Sequence, residues 1–303
     1  MVSGDRIKSL SDTLGSRQLK SGGWAYLNSR QESVEATCLA ELALACETQT
    51  TGSAAIEFLL ELQLADGGWP AFEGDPEGSW TTALALCTLN ATGDFVAARE
   101  RALGWLVTEQ GWEGHWFWRW KFKTVDRSVR FDPDKYGWPW THGAASWVIP
   151  TAFSIIALKQ FTVCNRTEAS EKRIRLGVEM LLDRACVGGG WNSGNSVVDG
   201  VPLRPHVETT AIALLALQDE EKSPVIRAGL DWLRAAAARI ESAESLAWGI
   251  LSLFVYQEPV GQLKKMLAMR VGEGAGILNT ATLATALLAL KSGEIIHPFE
   301  VLR

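Results

Sequence analysis

The sequence predicts an all-α protein folded as one (α/α)6 toroid, a double ring of six helical hairpins. Three observations carry that prediction. A Gly-Gly-Trp or Gly-Trp turn recurs, at Gly22-Gly23-Trp24, Gly67-Gly68-Trp69, Gly111-Trp112 and Gly189-Gly190-Trp191. Each leads to a threonine (Thr37, Thr82, Thr151, Thr210) that opens an Ala/Leu-rich segment. Charged and almost uncharged helices alternate six times, which reads as an outer ring around an inner one. The last uncharged segment is as apolar as the internal ones, whereas an open stack would end in a polar cap, so the last hairpin should close on the first.

Element by element, the charged helices span roughly residues 5–18, 53–64, 97–109, 171–184, 225–240 and 261–270. Ile56, Leu59, Leu60 and Gln63 show the spacing of a single buried stripe. The uncharged helices span 37–46, 82–89, 151–158, 210–217, 246–253 and 283–290. A helix that is apolar all round should be surrounded by protein. Ala and Leu favour helix, Gly and Pro gather at the turns, and no strand pattern competes. No boundary interrupts the repeat, so residues 1–303 read as one domain. The longest departure is a Trp-rich insertion at about 113–147, too aromatic for a disordered loop.

The net charge of −6 argues against a general nucleic-acid binder. A local basic cluster, Arg119, Lys121, Lys123, Arg127 and Arg130, lies among the tryptophans. The five cysteines, an odd number without Cys-x-x-Cys spacing, read as buried hydrophobes in a reducing compartment. The first ten residues are too polar for a signal peptide, so the expected location is cytoplasmic. No apolar run is long enough to span a bilayer. Peripheral membrane contact is left open, without a basic amphipathic helix that demands it.

Gln18-x3-Gly22-x-Trp24 and Gln63-x3-Gly67-x-Trp69 resemble the glutamine-tryptophan repeat of squalene-hopene and oxidosqualene cyclases. The resemblance covers nearly the whole chain and implies one α/α-toroid of the cyclase and prenyltransferase superfamily. Gly189-Gly190-Trp191, Asn195 and the run Pro205-His206-Val207-Glu208-Thr209-Thr210-Ala211 are similar to the acid motif of class II terpene cyclases. That similarity places the protonating acid on Glu208. His206 and Thr209 stand where the family has aspartates, so one carboxyl remains of a cluster. The implied function is proton-initiated cyclisation of an apolar isoprenoid-like substrate in the central cavity. Since a hopene cyclase uses two toroids, a second copy or a partner chain would complete that cavity.

Glu208 is therefore the candidate catalytic residue, with His206 as its hydrogen-bonding partner. Glu35 and Glu244 occupy the same repeat position, and that recurrence favours helix capping over chemistry. Trp116, Trp118, Trp120, Trp138, Trp140 and Trp147 are candidate substrate-binding residues, as faces for a cation or as a roof over the ring. Asp132 and Asp134 are acidic candidates in the same loop, with loop salt bridges as the plainer reading.

No cofactor and no metal is expected. There is no Walker loop and no nucleophile elbow, and the zinc-ligand patterns of prenyltransferases and lanthionine cyclases are missing. His115, His142, His206 and His297 are widely spaced. Two other functions fit the same scaffold. One is a non-catalytic ligand- or protein-binding toroid. The other is a carbohydrate lyase or hydrolase, with tryptophans as sugar platforms and His142 with Tyr136 as its catalytic pair.

Overall fold

The computed structural model describes residues 4–301 apart from 28, 30, 49–52, 94, 126–129, 163–165 and 221–222. Six helices form the outer layer: α1 (Gly4–Ser16), α3 (Ala54–Leu62), α5 (Val96–Thr108), α8 (Glu168–Asp183), α10 (Pro224–Ala237) and α12 (Gly261–Gly274). Six form the inner layer: α2 (Val34–Thr48), α4 (Thr81–Thr92), α7 (Val148–Thr162), α9 (Val207–Ala216), α11 (Ala243–Val255) and α13 (Thr280–Lys291). Each overlaps the helix expected from the sequence. A further helix, α6 (Trp116–Thr124), lies within the insertion. The sequence pattern announced neither that helix nor a short hairpin, Val197–Val198 with Val201–Pro202.

The inner helices pack in the order α2, α4, α7, α9, α11, α13, and α13 packs back on α2. The fold is thus the closed (α/α)6 toroid. Its seam is tied by hydrogen bonds. Thr280 N donates to Tyr26 O at 2.7 Å, and Arg17 Nη1 donates to Leu278 O at 2.7 Å. Outer helices bury one stripe, as Ile56, Phe58 and Leu59 do on α3, while α4, α9 and α13 are buried nearly end to end.

The recurring turn has a common physical cause. Trp24, Trp69 and Trp191 are fully buried. Each donates its indole N–H to a carbonyl near the end of the preceding outer helix, at Leu14, Leu59 and Leu181. Their backbone N–H groups donate to the hydroxyls of Thr37, Thr82 and Thr210 at 2.8–2.9 Å, which locks each turn onto the next inner helix. Gly67 and Gly189 are left-handed, at φ +95° and +104°. A Cβ on either would stand 2.3 Å from a carbonyl of the next outer helix, so only glycine fits. The glutamines brace the turns themselves: Gln18 Nε2 donates to Gly22 O and Gln63 Nε2 to Gly67 O.

The third turn is displaced from its expected place. Trp138, not Trp112, donates its indole N–H to Leu106 O at 2.8 Å and its backbone N–H to Thr151 Oγ1 at 3.0 Å. Trp112 opens the insertion instead, which lies between α5 and Gly137. Glu113 and Arg184, both buried, pin it to α8 through a 3.2 Å ion pair, and Ser146 donates its backbone N–H and its hydroxyl to Glu113.

The ring interior is packed with side chains. Phe153 of α7 meets Trp248 of α11 at 5.7 Å between ring centroids, although α9 stands between those helices in the ring. That contact therefore crosses the interior. Phe299 completes the cluster at 5.7 Å from Phe153 and 5.4 Å from Trp248. It arrives on the C-terminal tail, which is held at the far end of the inner helices. There Gln218 Nε2 donates to Phe299 O and Gln160 Nε2 donates to Pro298 O. An apolar hollow for an isoprenoid chain is not what this interior offers.

Candidate functional site

Glu35, Glu208 and Glu244 are each the second residue of an inner helix, α2, α9 and α11. Since α2 and α9 stand opposite each other and α11 is next to α9, ring closure turns one repeat position into a convergence at one mouth. Burial raises the Glu208 carboxyl to about 7, and the charges of Glu244 and then Glu35 push in the same direction. Counted two residues back from the threonine that locks the turn, the second repeat has Trp80, just before α4, and the third has Ile149.

The glutamates are not helix caps. Ser242 caps α11 by accepting from Ser245 N, and His206, the residue before α9, makes no side-chain cap bond. Glu35 Oε2 instead accepts a short hydrogen bond from the Tyr26 hydroxyl. Burial, and after it the Glu244 charge, raises the Glu35 pKa, against the lowering by Tyr26. Burial, and after it Glu35, also drives the Tyr26 phenol upward, so it stays a donor. Glu244 Oε2 accepts from Thr282 Oγ1 at 2.9 Å. Glu208 has no side-chain hydrogen bond among the described residues.

Two aromatic pairs lie near the starts of the inner helices, and Tyr26 of one of them bonds Glu35. Trp80 meets Trp140 edge-on at 5.1 Å, and Tyr26 meets Phe72 edge-on at 6.2 Å. All four are half-buried. Among the described residues, no three His, Cys, Asp or Glu side chains are placed to hold one metal ion.

The other sequence candidates are scattered. His206 is exposed, and the groups acting on Glu208 are the two glutamates rather than this imidazole. Trp138 is 1% exposed and serves the third turn. Trp140 reaches the mouth, and Trp147 is half-buried beside Gly194. Trp118 stacks on Trp112 at 4.7 Å, while Trp116 and Trp120 face outward from α6. Asp134 pairs with Lys123 and Asp132 with Lys135, the ordinary loop bridges. His142 Nδ1 pairs with Glu109 at 3.0 Å, whereas Tyr136 lies under Arg173, so the structure gives the proposed His/Tyr pair separate partners. Of the basic cluster, Arg127 lies outside the described residues.

The sequence signals for Glu35 and Glu244 were present in their repeat position. What was missing was the reading of recurrence as convergence. Tyr26, Thr282 and Trp80 had no signal of their own.

No family model matches the sequence, and no curated protein matches it. Solved structures do. A glycoside hydrolase family 76 α-mannanase of Bacteroides thetaiotaomicron matches with a TM-score of 0.64 at 9% identity, covering 96% of this chain and 96% of its own. An endo-1,4-D-glucanase of Vibrio fischeri gives 0.63 at 11% identity, covering 97% and 98%. An inactive variant of an α-1,6-mannanase of Salegentibacter sp., in complex with α-1,6-mannotriose, gives 0.63 at 9% identity, covering 95% and 98%. At these identities the likeness establishes the fold.

None of these three is a terpene cyclase, and they overturn the resemblance to squalene-hopene cyclases. The physical reason lies in the turn motif. Gln, Gly and Trp report how one hairpin closes on the next, a task common to such rings, and carry no chemistry. The isoprenoid substrate and the cyclase function fall with the resemblance, since Phe153, Trp248 and Phe299 fill the interior they need.

Proposed function

We propose that this protein is a carbohydrate-active enzyme that hydrolyses glycosidic bonds at the glutamate-lined mouth of its ring. The observation that carries this reading is the convergence of Glu35, Glu208 and Glu244, with Glu208 raised to about 7. Glycoside hydrolysis needs one carboxylic acid to protonate the leaving oxygen and one carboxylate to act as base or nucleophile. Environments that separate the pKa values of neighbouring carboxyls supply that division of labour.

Glu208 takes the role of general acid, because burial and two neighbouring charges keep it protonated near neutral pH. Glu244, held by the Thr282 hydroxyl, is the carboxylate partner. Glu35, with Tyr26, is the third polar group and positions the sugar hydroxyls. Trp80, Trp140, Tyr26 and Phe72 provide the apolar faces on which a pyranose ring stacks. The mannanases and the glucanase that share the fold name the first substrates to try, α-1,6-mannan and 1,4-D-glucan.

The test is release of reducing ends from a panel containing those two polymers. The wild type should cleave at least one. Glu208→Gln should lower kcat by about 100-fold or more, with binding retained. The pH profile should fall on its alkaline side near 7, where Glu208 loses its proton. A Glu208→Gln variant at full rate, or a panel left uncut, would overturn the reading.

A further inference from the structure

Helix α6 has the sequence Trp-Phe-Trp-Arg-Trp-Lys-Phe-Lys-Thr, and none of its side chains is buried. Its two faces are unlike. Trp118 and Phe122 turn inward, where Trp118 stacks on Trp112 and Phe122 meets Phe131 at 5.1 Å. The opposite face carries Trp116, Phe117 and Trp120, which are 69%, 44% and 55% exposed. At 100° per residue, Arg119 lies on one side of those three rings and Lys121, above the Trp118 ring, on the other, while Lys123 is paired with Asp134. The helix contains no acidic residue, although the chain as a whole carries −6.

Three large rings left in water on one short helix call for something to cover them. The chemistry of the helix decides what kind of surface that is. Indole is favoured where an apolar phase meets water, since its ring is apolar and its N–H is polar. Flanking Arg and Lys side chains reach outward to phosphates while their stems stay with the rings. Cations on a helix without acids, on a protein that is otherwise acidic, select an anionic surface. The insertion leaves α5 and returns to the start of α7, so α6 lies at the end of the ring where the glutamates converge.

We infer that α6 is an interfacial anchor that docks the protein on an anionic lipid surface, with Trp116, Phe117 and Trp120 entering the headgroup region. This inference is independent of the glycosidase reading. It also revises the sequence expectation, in which no basic amphipathic helix called for a membrane.

The experiment is co-sedimentation of the full chain with phosphatidylcholine vesicles, with and without about one third phosphatidylglycerol. The wild type should sediment with the anionic vesicles, its tryptophan emission should shift to the blue, and added salt should release it. The variant Trp116→Ser, Phe117→Ser, Trp120→Ser replaces exposed rings only, so its circular dichroism should match the wild type. Its apparent vesicle affinity should fall by about tenfold or more. A second variant, Arg119→Gln with Lys121→Gln, should weaken binding to anionic vesicles and lose the salt dependence. Wild type that stays in the supernatant, or a folded triple variant that sediments equally, would overturn the inference. A dimer on gel filtration, or retention on immobilised mannan, lost in the triple variant without vesicle binding would overturn it in favour of a second copy or a polysaccharide.

Discussion

Glu208 is a half-buried acid facing two others, and its ionisation couples to stability as well as to catalysis. Its folded-state pKa of about 7 lies above the ordinary value of 4.5. Between those values the native state keeps a proton that the unfolded chain has released. Its contribution is thus complete below the lower value and is lost as pH rises through the upper one. Glu208→Gln removes the group that causes the loss. Chemical denaturation at about pH 8 should find the variant more stable than wild type by on the order of 1–2 kcal/mol, after allowance for the water that reaches this carboxylate. Near pH 4 the two should agree. A residue that costs stability where it would work fits a site shaped for chemistry rather than for packing.

The hairpin turn is the element that builds the ring. Thr210 is fully buried, accepts from Trp191 N at 2.8 Å and donates to Trp191 O at 3.1 Å. Thr210→Val keeps the shape and leaves the Trp191 N–H without a partner in a dry place. Urea denaturation should show a loss of about 1–3 kcal/mol. Much of this element was legible in the sequence, because Gly-Gly-Trp and a following Thr recur with the spacing the turn requires. The third turn was misplaced because the insertion brings its own Gly111-Trp112, which imitates the motif. Gly137-Trp138 shows its role only through its bonds to Thr151 and Leu106. The aromatic run of α6 misled in another way. Composition tells that tryptophans are numerous, and only packing tells that Trp118 turns in while Trp116 and Trp120 turn out.

At the scale of the whole molecule, closure does two things. It packs the interior around Phe153, Trp248 and Phe299, and it brings residues far apart in sequence to one mouth. Phe299 is fully buried and comes from the tail, so Phe299→Ala opens a cavity at the centre of the ring. Thermal or denaturant unfolding should show a loss of about 3–5 kcal/mol. The double ring was readable from two alternating classes of helix. The site was not, because Glu35, Glu208 and Glu244 are separated by most of the chain. Their meeting depends on α2 standing opposite α9, a fact of ring order and not of local pattern.

Three glutamates meet at the mouth closely enough to raise the pKa of one of them. A carboxyl-carbon NMR titration of glutamate-labelled protein reads that directly, with Glu208 assigned by its absence in Glu208→Gln. The Glu208 midpoint should lie at about 7 and move down when Glu244 is replaced by Gln. A midpoint at the ordinary 4.5, unmoved by that replacement, would contradict it.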